Sequence, residues 1–211
     1  TEYAKANKST PEDGTVEFYV DDKKVAEQKY KAGEKDAIVL DGLEQYIKEG
    51  KHTLKVKYAA TKNPLPHSIA VDWNTSLPNS DEECKVGLKA KLAAKSANQG
   101  ETLRMTVTLK NKTEEGLPTP IAIIGIPAGL SLQPWQLKEM HEKKLFDYYE
   151  VIGSNLILYY RGMAPKEEKV INLDLKADIP GEYEAPASSA YLYYTNEYKT
   201  WDAGGKIIVI R

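Results

Sequence analysis

Hydrophobic and polar positions alternate along most of this chain, and the alternation falls into two stretches. Val16, Phe18 and Val20 alternate with Glu17, Tyr19 and Asp21, which predicts a half-buried strand. Asp21-Asp22 predicts a turn, and Val25 to Tyr30 the returning arm of a hairpin. Ala37 to Leu40 reads as a third short strand. Asp41 with Glu44 three residues on is an acidic variant of a capping box. It predicts a short helix carrying Leu43, Tyr46 and Ile47 on one face, stopped by Gly50. Leu54, Val56 and Tyr58 alternate next. Asn63-Pro64-Leu65-Pro66 breaks the chain, and Ile69, Val71 and Trp73 predict one more strand. Residues 15–75 therefore read as a small β domain with one helix, behind a loose leader over 1–14.

Residues 76–83, Ser-Leu-Pro-Asn-Ser-Asp-Glu-Glu, hold a proline, turn formers and an acidic run without periodicity, and read as a linker. The pattern restarts after them. Val86, Leu88, Ala90 and Leu92 alternate, then Leu103, Met105, Val107 and Leu109. Asn111 to Gly116 reads as a polar turn. Ile121 to Ile126 reads as a fully buried strand, closed by Pro127-Ala128-Gly129. Pro134 opens a helix to Lys144, with Leu137, Met140 and His141 on one stripe and Lys138 outside. Phe146 to Val151 and Asn155 to Tyr160 predict a hairpin around Gly153-Ser154. Ile171 to Ile179 is the longest clean alternation, and Ile207 to Ile210 a closing strand. Residues 84–211 thus read as a β-sandwich of roughly seven to nine strands with one crossover helix. The fold class expected is all-β with minor helix.

One stretch departs from ordinary strand chemistry. From Ser189 the chain alternates through Ala190, Tyr191, Leu192, Tyr193 and Tyr194, sending Tyr191 and Tyr193 to one face and Ala190, Leu192 and Tyr194 to the other. It then enters Thr195-Asn196-Glu197, read as a polar loop, and still carries Tyr198 and Trp201. Two readings stand: a strand with a solvated aromatic edge, or a contact surface built from large, stiff, amphipathic side chains. As a platform for sugars, Tyr191, Tyr193, Tyr198 and Trp201 would serve an adhesin-like or carbohydrate-binding sandwich.

Composition narrows the chemistry. With 41% hydrophobic and 28% charged residues, the chain can pack a core, and a formal net charge of −2 leaves no basic face for nucleic acid. No apolar run is long enough to span a membrane, and no signal-peptide pattern is expected at Thr1. Cys84 is the lone cysteine, so neither an intrachain disulfide nor a structural zinc site is expected. Fourteen tyrosines against two phenylalanines suit an extracytoplasmic β-protein. His141-Glu142-Lys143-Lys144-Leu145 begins like a zinc-protease helix but lacks the second histidine. There is no Gly-x-Ser-x-Gly elbow and no phosphate loop. No cofactor, metal or catalytic residue is expected. Asn74-Thr75-Ser76 and Asn111-Lys112-Thr113 match the N-glycosylation pattern.

Five segments occur in an order that carries a resemblance: Gly125-Ile-Pro-Ala-Gly-Leu130, Pro134-Trp-Gln-Leu-Lys138, Asn155-Leu-Ile-Leu-Tyr159, Asp174-Leu-Lys-Ala-Asp178 and Ala190-Tyr-Leu-Tyr-Tyr194. Together they resemble the C-terminal receptor-binding domain of the α2-macroglobulin family, in its bacterial-like branch, over Cys84 to Arg211. The earlier residues are similar to the CUB-like segment that follows the thioester domain in that family. The resemblance implies the noncatalytic end of a larger protease trap, periplasmic or extracellular, anchored to a membrane, if at all, through a part not in this chain. Its partners would be the other domains of the parent chain and, indirectly, trapped proteases. The family's Cys-Gly-Glu-Gln thioester motif is not in this sequence. Family aromatics help cover the thioester; the matching positions are Tyr159 and Tyr193, with Tyr194 the adjacent alternative. Otherwise Tyr159 and Tyr193 are ordinary sheet residues. The vertebrate receptor lysines map to Gln133 and Leu137, with Lys138 one step off.

Overall fold

The computed structural model describes residues 12–62 and 65–211. The leader up to Pro11, and Asn63 and Pro64 of the proline break, lie outside the described residues. Contacts divide the chain into two compact units, one ending at Asp72 and one running from Trp73 to Arg211. The dividing point precedes the stretch read as a linker.

The first unit is a three-stranded antiparallel sheet of β1 (Gly14–Val20), β2 (Lys23–Tyr30) and β3 (Leu54–Ala59), in the order β2-β1-β3. Val16, Phe18 and Val20 are buried on one face, as the alternation requires. Asp21 and Asp22 both have positive φ, the backbone of a tight primed turn, which matches the right-handed twist of paired strands. Asp21 also ties the turn to the residues just before β3. Its carboxylate accepts from Thr53 N–H and from His52 Nδ1, at 2.9 and 2.7 Å.

Three expectations fail in this unit and at its end. Residues 37–40 are not a strand, and the expected helix is a single 3-10 turn at Glu44–Tyr46. Leu43, Tyr46 and Ile47 give that turn no buried residue to hold it down. Ile69, Val71 and Trp73 are not a strand either and stand exposed, with no edge pairing to enforce their alternation. Val16, Phe18 and Val56 face a cavity of about 1020 Å³ that the 31–47 and 65–72 segments enclose only in part.

The second unit is a sandwich. One sheet has five strands in the order β10-β11-β8-β15-β16: β8 (Pro120–Gly125), β10 (Tyr148–Ile152), β11 (Asn155–Tyr159), β15 (Ser188–Leu192) and β16 (Thr195–Asp202). The other has four in the order β4-β6-β13-β9: β4 (Val86–Leu92), β6 (Thr102–Asn111), β9 (Leu130–Ser131) and β13 (Glu168–Ala177). β5 (Ser96–Asn98), β14 (Gly181–Glu184) and β17 (Lys206–Ile210) form a third sheet, and β7 (Leu117–Pro118) pairs with β12 (Gly162–Met163). The core lies where the alternation put it. Leu103, Met105, Val107 and Leu109 of β6 and Ile171, Leu173, Leu175 and Ala177 of β13 meet Ala122, Ile124, Leu156, Leu158 and Ala190 of the five-stranded sheet. Ile179 lies past the end of β13 and is exposed, because the strand stops before Pro180.

The helix α1 (Pro134–Glu142) crosses between the sheets with Leu137 and Met140 buried and Lys138 outside. It ends at Glu142, two residues before Lys144, whose φ is positive. Gln136 bridges α1 to β13: it accepts from Asp174 N–H at 2.9 Å and donates to Asp174 Oδ2 at 3.1 Å. Asp174 in turn holds Arg104 through two nitrogens. Asn111 is fully buried, with Nδ2 donating to the carbonyls of Glu115 and Ala164, so its match to a glycosylation pattern is a structural turn instead.

Candidate functional site

The outer face of the five-stranded sheet gathers residues from three distant stretches of the chain. Opposed residues in adjacent antiparallel strands present their side chains on one face. Tyr148 opposes Tyr159, Tyr159 opposes Ile121, and Ile121 opposes Tyr191 on its other side. This gives one transverse row. Ile121 is only 5% exposed although it points outward, flanked by Tyr159 and Tyr191. A second row runs Glu150, Ile157, Ile123, Ser189 and Trp201. The Tyr159 hydroxyl joins the rows by donating to Glu150 Oε2 at 3.0 Å. The Tyr148 and Tyr159 rings lie 5.7 Å apart, and Lys199 Nζ sits 5.1 Å from the Tyr191 ring centre. Burial, and then the bond to Glu150, push the Tyr159 phenol above its ordinary range; burial does the same to Tyr191. Both stay neutral donors at physiological pH, suited to contact rather than to nucleophilic chemistry.

The tyrosine strand ends sooner than its alternation suggests. β15 stops at Leu192, and Tyr193 and Tyr194 are the two residues of a hairpin tip closed by the Leu192–Thr195 pair. Thr195-Asn196-Glu197, expected to be a loop, begins strand β16. Neither tip tyrosine has a positive φ, so this is not the primed turn that Gly or Asn would make. A register shift between Ala190 and Leu192 makes the connection, as bulges re-aim side chains. Tyr193 and Tyr194 are 58% and 79% exposed, their rings packed edge-on at 5.1 Å. Tyr193 N–H still donates to Thr119 O, extending the pairing with β8. Thr119 itself is strained, a β-branched residue at φ 45 with no partner for its hydroxyl among the described residues.

The sequence-picked residues are thus divided. Tyr159 and Tyr191 share the first row, Trp201 stands in the second, and Tyr193 and Tyr194 project from the tip. Tyr198 alternates with Lys199, away from the Tyr191 ring, so it does not join a platform with Tyr191 and Trp201. Lys138 is exposed on α1 and belongs to neither row. Tyr148, Ile121 and Glu150 were not singled out from the sequence. Only the register brings them into the row, although Tyr148 in a strand next to Tyr149 was a usable signal. Elsewhere, Ser188 and Ser189 are buried, and Ser188 Oγ accepts from Gly125 N–H. The His141 ring packs on Phe146 and Tyr149 and bonds the Asp147 carbonyl. Among the described residues, no three His, Cys, Asp or Glu side chains are grouped to hold a metal, and no helix is long and apolar enough to cross a membrane.

No protein-family profile and no curated protein matches this sequence. Solved structures do match. Native α2-macroglobulin from Escherichia coli, from domain MG7 to the C-terminus, superposes with a TM-score of 0.55 at 10% identity, over 95% of this chain and 33% of that one. Salmonella α2-macroglobulin reacted with methylamine gives 0.57 at 12% identity, over 99% of this chain and 14% of that one. The native conformation of the E. coli protein by cryo-electron microscopy gives 0.56 at 10%, over 95% and 13%. This chain therefore spans a third or less of the length of these proteins. At such identities the likeness is one of fold: the chain has the all-β fold of the C-terminal region of bacterial α2-macroglobulin.

Proposed function

We propose that this chain is a noncatalytic module of an α2-macroglobulin-like protease inhibitor, and that its tyrosine face packs against the thioester domain and helps keep water from the thioester. The observation that carries the reading is the row Tyr148–Tyr159–Ile121–Tyr191, continued by the exposed Tyr193 and Tyr194, on a chain with this fold. A reactive acyl group persists only where water is excluded, and tyrosines are stiff, bulky covers with a polar tip. In this reading residues 15–75 are the CUB-like segment, 76–83 a linker and 84–211 the receptor-binding-like sandwich. The partners are other domains of a larger parent chain and, through them, trapped proteases. The compartment is periplasmic or extracellular.

The test is made in the parent protein. Tyr193→Ala and Tyr159→Ala should each speed thioester hydrolysis and methylamine incorporation. Unchanged reactivity, or a parent sequence without Cys-Gly-Glu-Gln, would sink the reading. A second reading rests on Tyr191 and Trp201, which the sheet carries on one face, with Tyr193 at the adjoining hairpin tip: exposed aromatics of this kind are what a sugar-binding sandwich would use. Binding of the isolated chain to a glycan array, lost in Trp201→Ala, would favour it.

A further inference from the structure

We propose that the open edge of β10, with the cleft beside it, takes up an extended segment of another polypeptide, one with apolar side chains at alternate positions and a cation between them. The inference does not depend on the tyrosine-face reading, although it shares Glu150 with that face.

Unprotected strand edges invite pairing, so folded proteins usually cover them. Three of the four outer borders of the two large sheets here are covered. On β16, Ser80 Oγ accepts from Trp201 N–H at 2.8 Å, and Asp81 N–H donates to Lys199 O at 2.8 Å. On β4, Asp202 Oδ2 accepts from Ala90 N–H at 2.7 Å. On β13, β9 and the Gln136 side chain bond the strand. β10 alone has no such cover among the described residues. Its sequence, Tyr-Tyr-Glu-Val-Ile, contains neither lysine nor proline, the usual guards of a strand edge.

The geometry says which groups are offered. Ile152 and Asn155 flank the two-residue turn Gly153-Ser154, so residues 152, 150 and 148 exchange backbone bonds with β11. Tyr149 and Val151 then turn their N–H and C=O groups to the open side. The same two residues line a cleft of about 460 Å³, completed by Leu132, Pro134 and Leu137 beside α1 and by Ile126. No residue of the cleft carries a charge. An added strand would gain main-chain bonds at Tyr149 and Val151 and place alternate side chains against the cleft, the combination used in recognition by strand addition.

Charge decides between occupants. Glu150, between the two pairing residues, faces the outer side; its hydrogen bond comes from a neutral phenol, and it forms no ion pair among the described residues. A lysine or arginine opposite it is favoured, and a carboxylate there repels. A second copy of β10 paired about Glu150 would oppose two glutamates, which argues for a different, basic-apolar segment.

The probe is the peptide acetyl-Thr-Val-Lys-Val-Thr-amide, added to the ¹⁵N-labelled chain. Binding with Kd of about 1 mM or tighter should shift the Tyr149 and Val151 amides and slow their hydrogen exchange roughly tenfold. Lysine-to-glutamate exchange in the peptide should weaken binding severalfold. Val151→Pro should abolish it while sparing the hairpin, because that N–H points away from β11. If Val151→Pro loses the native fingerprint, Val151→Lys, which keeps the donor and charges the cleft, should abolish binding instead. Tyr193→Ala should leave the peptide affinity unchanged. The proposal is overturned by the absence of amide shifts at 10 mM peptide, by equal affinity for the lysine and glutamate peptides, or by binding that survives in a folded Val151 variant. It is equally overturned if the same amides become protected with rising protein concentration alone, which would make the occupant a second copy.

Discussion

Leu158 and Tyr159 are neighbours in β11 and face opposite sides of the same sheet. Leu158 is wholly buried against Ala122 and Ala190, in a layer of small and aliphatic side chains. Tyr159 stands among tyrosines, a carboxylate and two isoleucines. The inner face is chemically uniform because it has only to fill space at high density. The outer face mixes ring, hydroxyl and charge, more than a solvated sheet surface requires. Stability and contact are thus separated by a single backbone step, and substitutions on the two faces should have very different consequences.

The largest expected effect is from a charge placed inward. Leu137→Asp puts an unpaired carboxylate under α1 and should destabilise the second unit by roughly 3–5 kcal/mol, while Lys138→Ala should change it by less than about 0.5 kcal/mol. Equal effects in chemical denaturation would mean the helix is turned. Next is Leu158→Ala, expected to cost about 2–5 kcal/mol through lost burial and a cavity. Tyr159→Ala should cost about 1 kcal/mol, chiefly through its bond to Glu150. A reversed order in urea unfolding would collapse the distinction between the faces.

A smaller effect is expected from acid. Hydrogen bonding to Arg104 is the main cause holding Asp174 below the ordinary aspartate value, and Gln136 adds to it. A lowered folded value stabilises above the unfolded value and is lost as pH falls through the folded one. Asp174→Asn should therefore be less stable than the parent sequence at neutral pH. Thermal melts should converge as the pH drops below the ordinary aspartate range. The smallest effect is at the tip. Tyr193→Ala should leave the melting temperature of this chain within about 1 °C, since the ring is mostly in solvent. A drop of several degrees would make Tyr193 structural and remove the reason to read it as a contact.

The inner face could be read directly from the sequence, whereas the outer face could not. β6 and β13 are long and strictly alternating, and every inward residue the pattern named within them is buried; only Ile179, beyond the end of β13, is not. Period two is set by the pleat itself, so it survives in the sequence. The tyrosine row is different in kind. Tyr148, Tyr159 and Tyr191 meet only because β8 lies between β11 and β15, and strand order leaves no local mark. The end of β15 at Leu192 was hidden because Tyr193 and Tyr194 have high strand propensity, and β16 was hidden because it opens with Thr-Asn-Glu. In the first part of the chain, residues 37–40 and 69–73 have apolar patterns but no paired neighbour, and a pattern without a partner does not make a strand.

One pairing of the second unit bears on how the chain is made. β17 joins β5 in parallel, and its Ile207 and Val209 are buried in the core. During translation, Ser96–Asn98 leave the ribosome long before Lys206–Ile210 are polymerised. The core that β4, β6, β8 and β13 line is not closed until β17 brings Ile207 and Val209 to it. Sequence-distant pairings of this kind slow folding and lengthen the exposure of sticky intermediates. Until then Ala97, which Val209 faces across the parallel pair, lacks its cover.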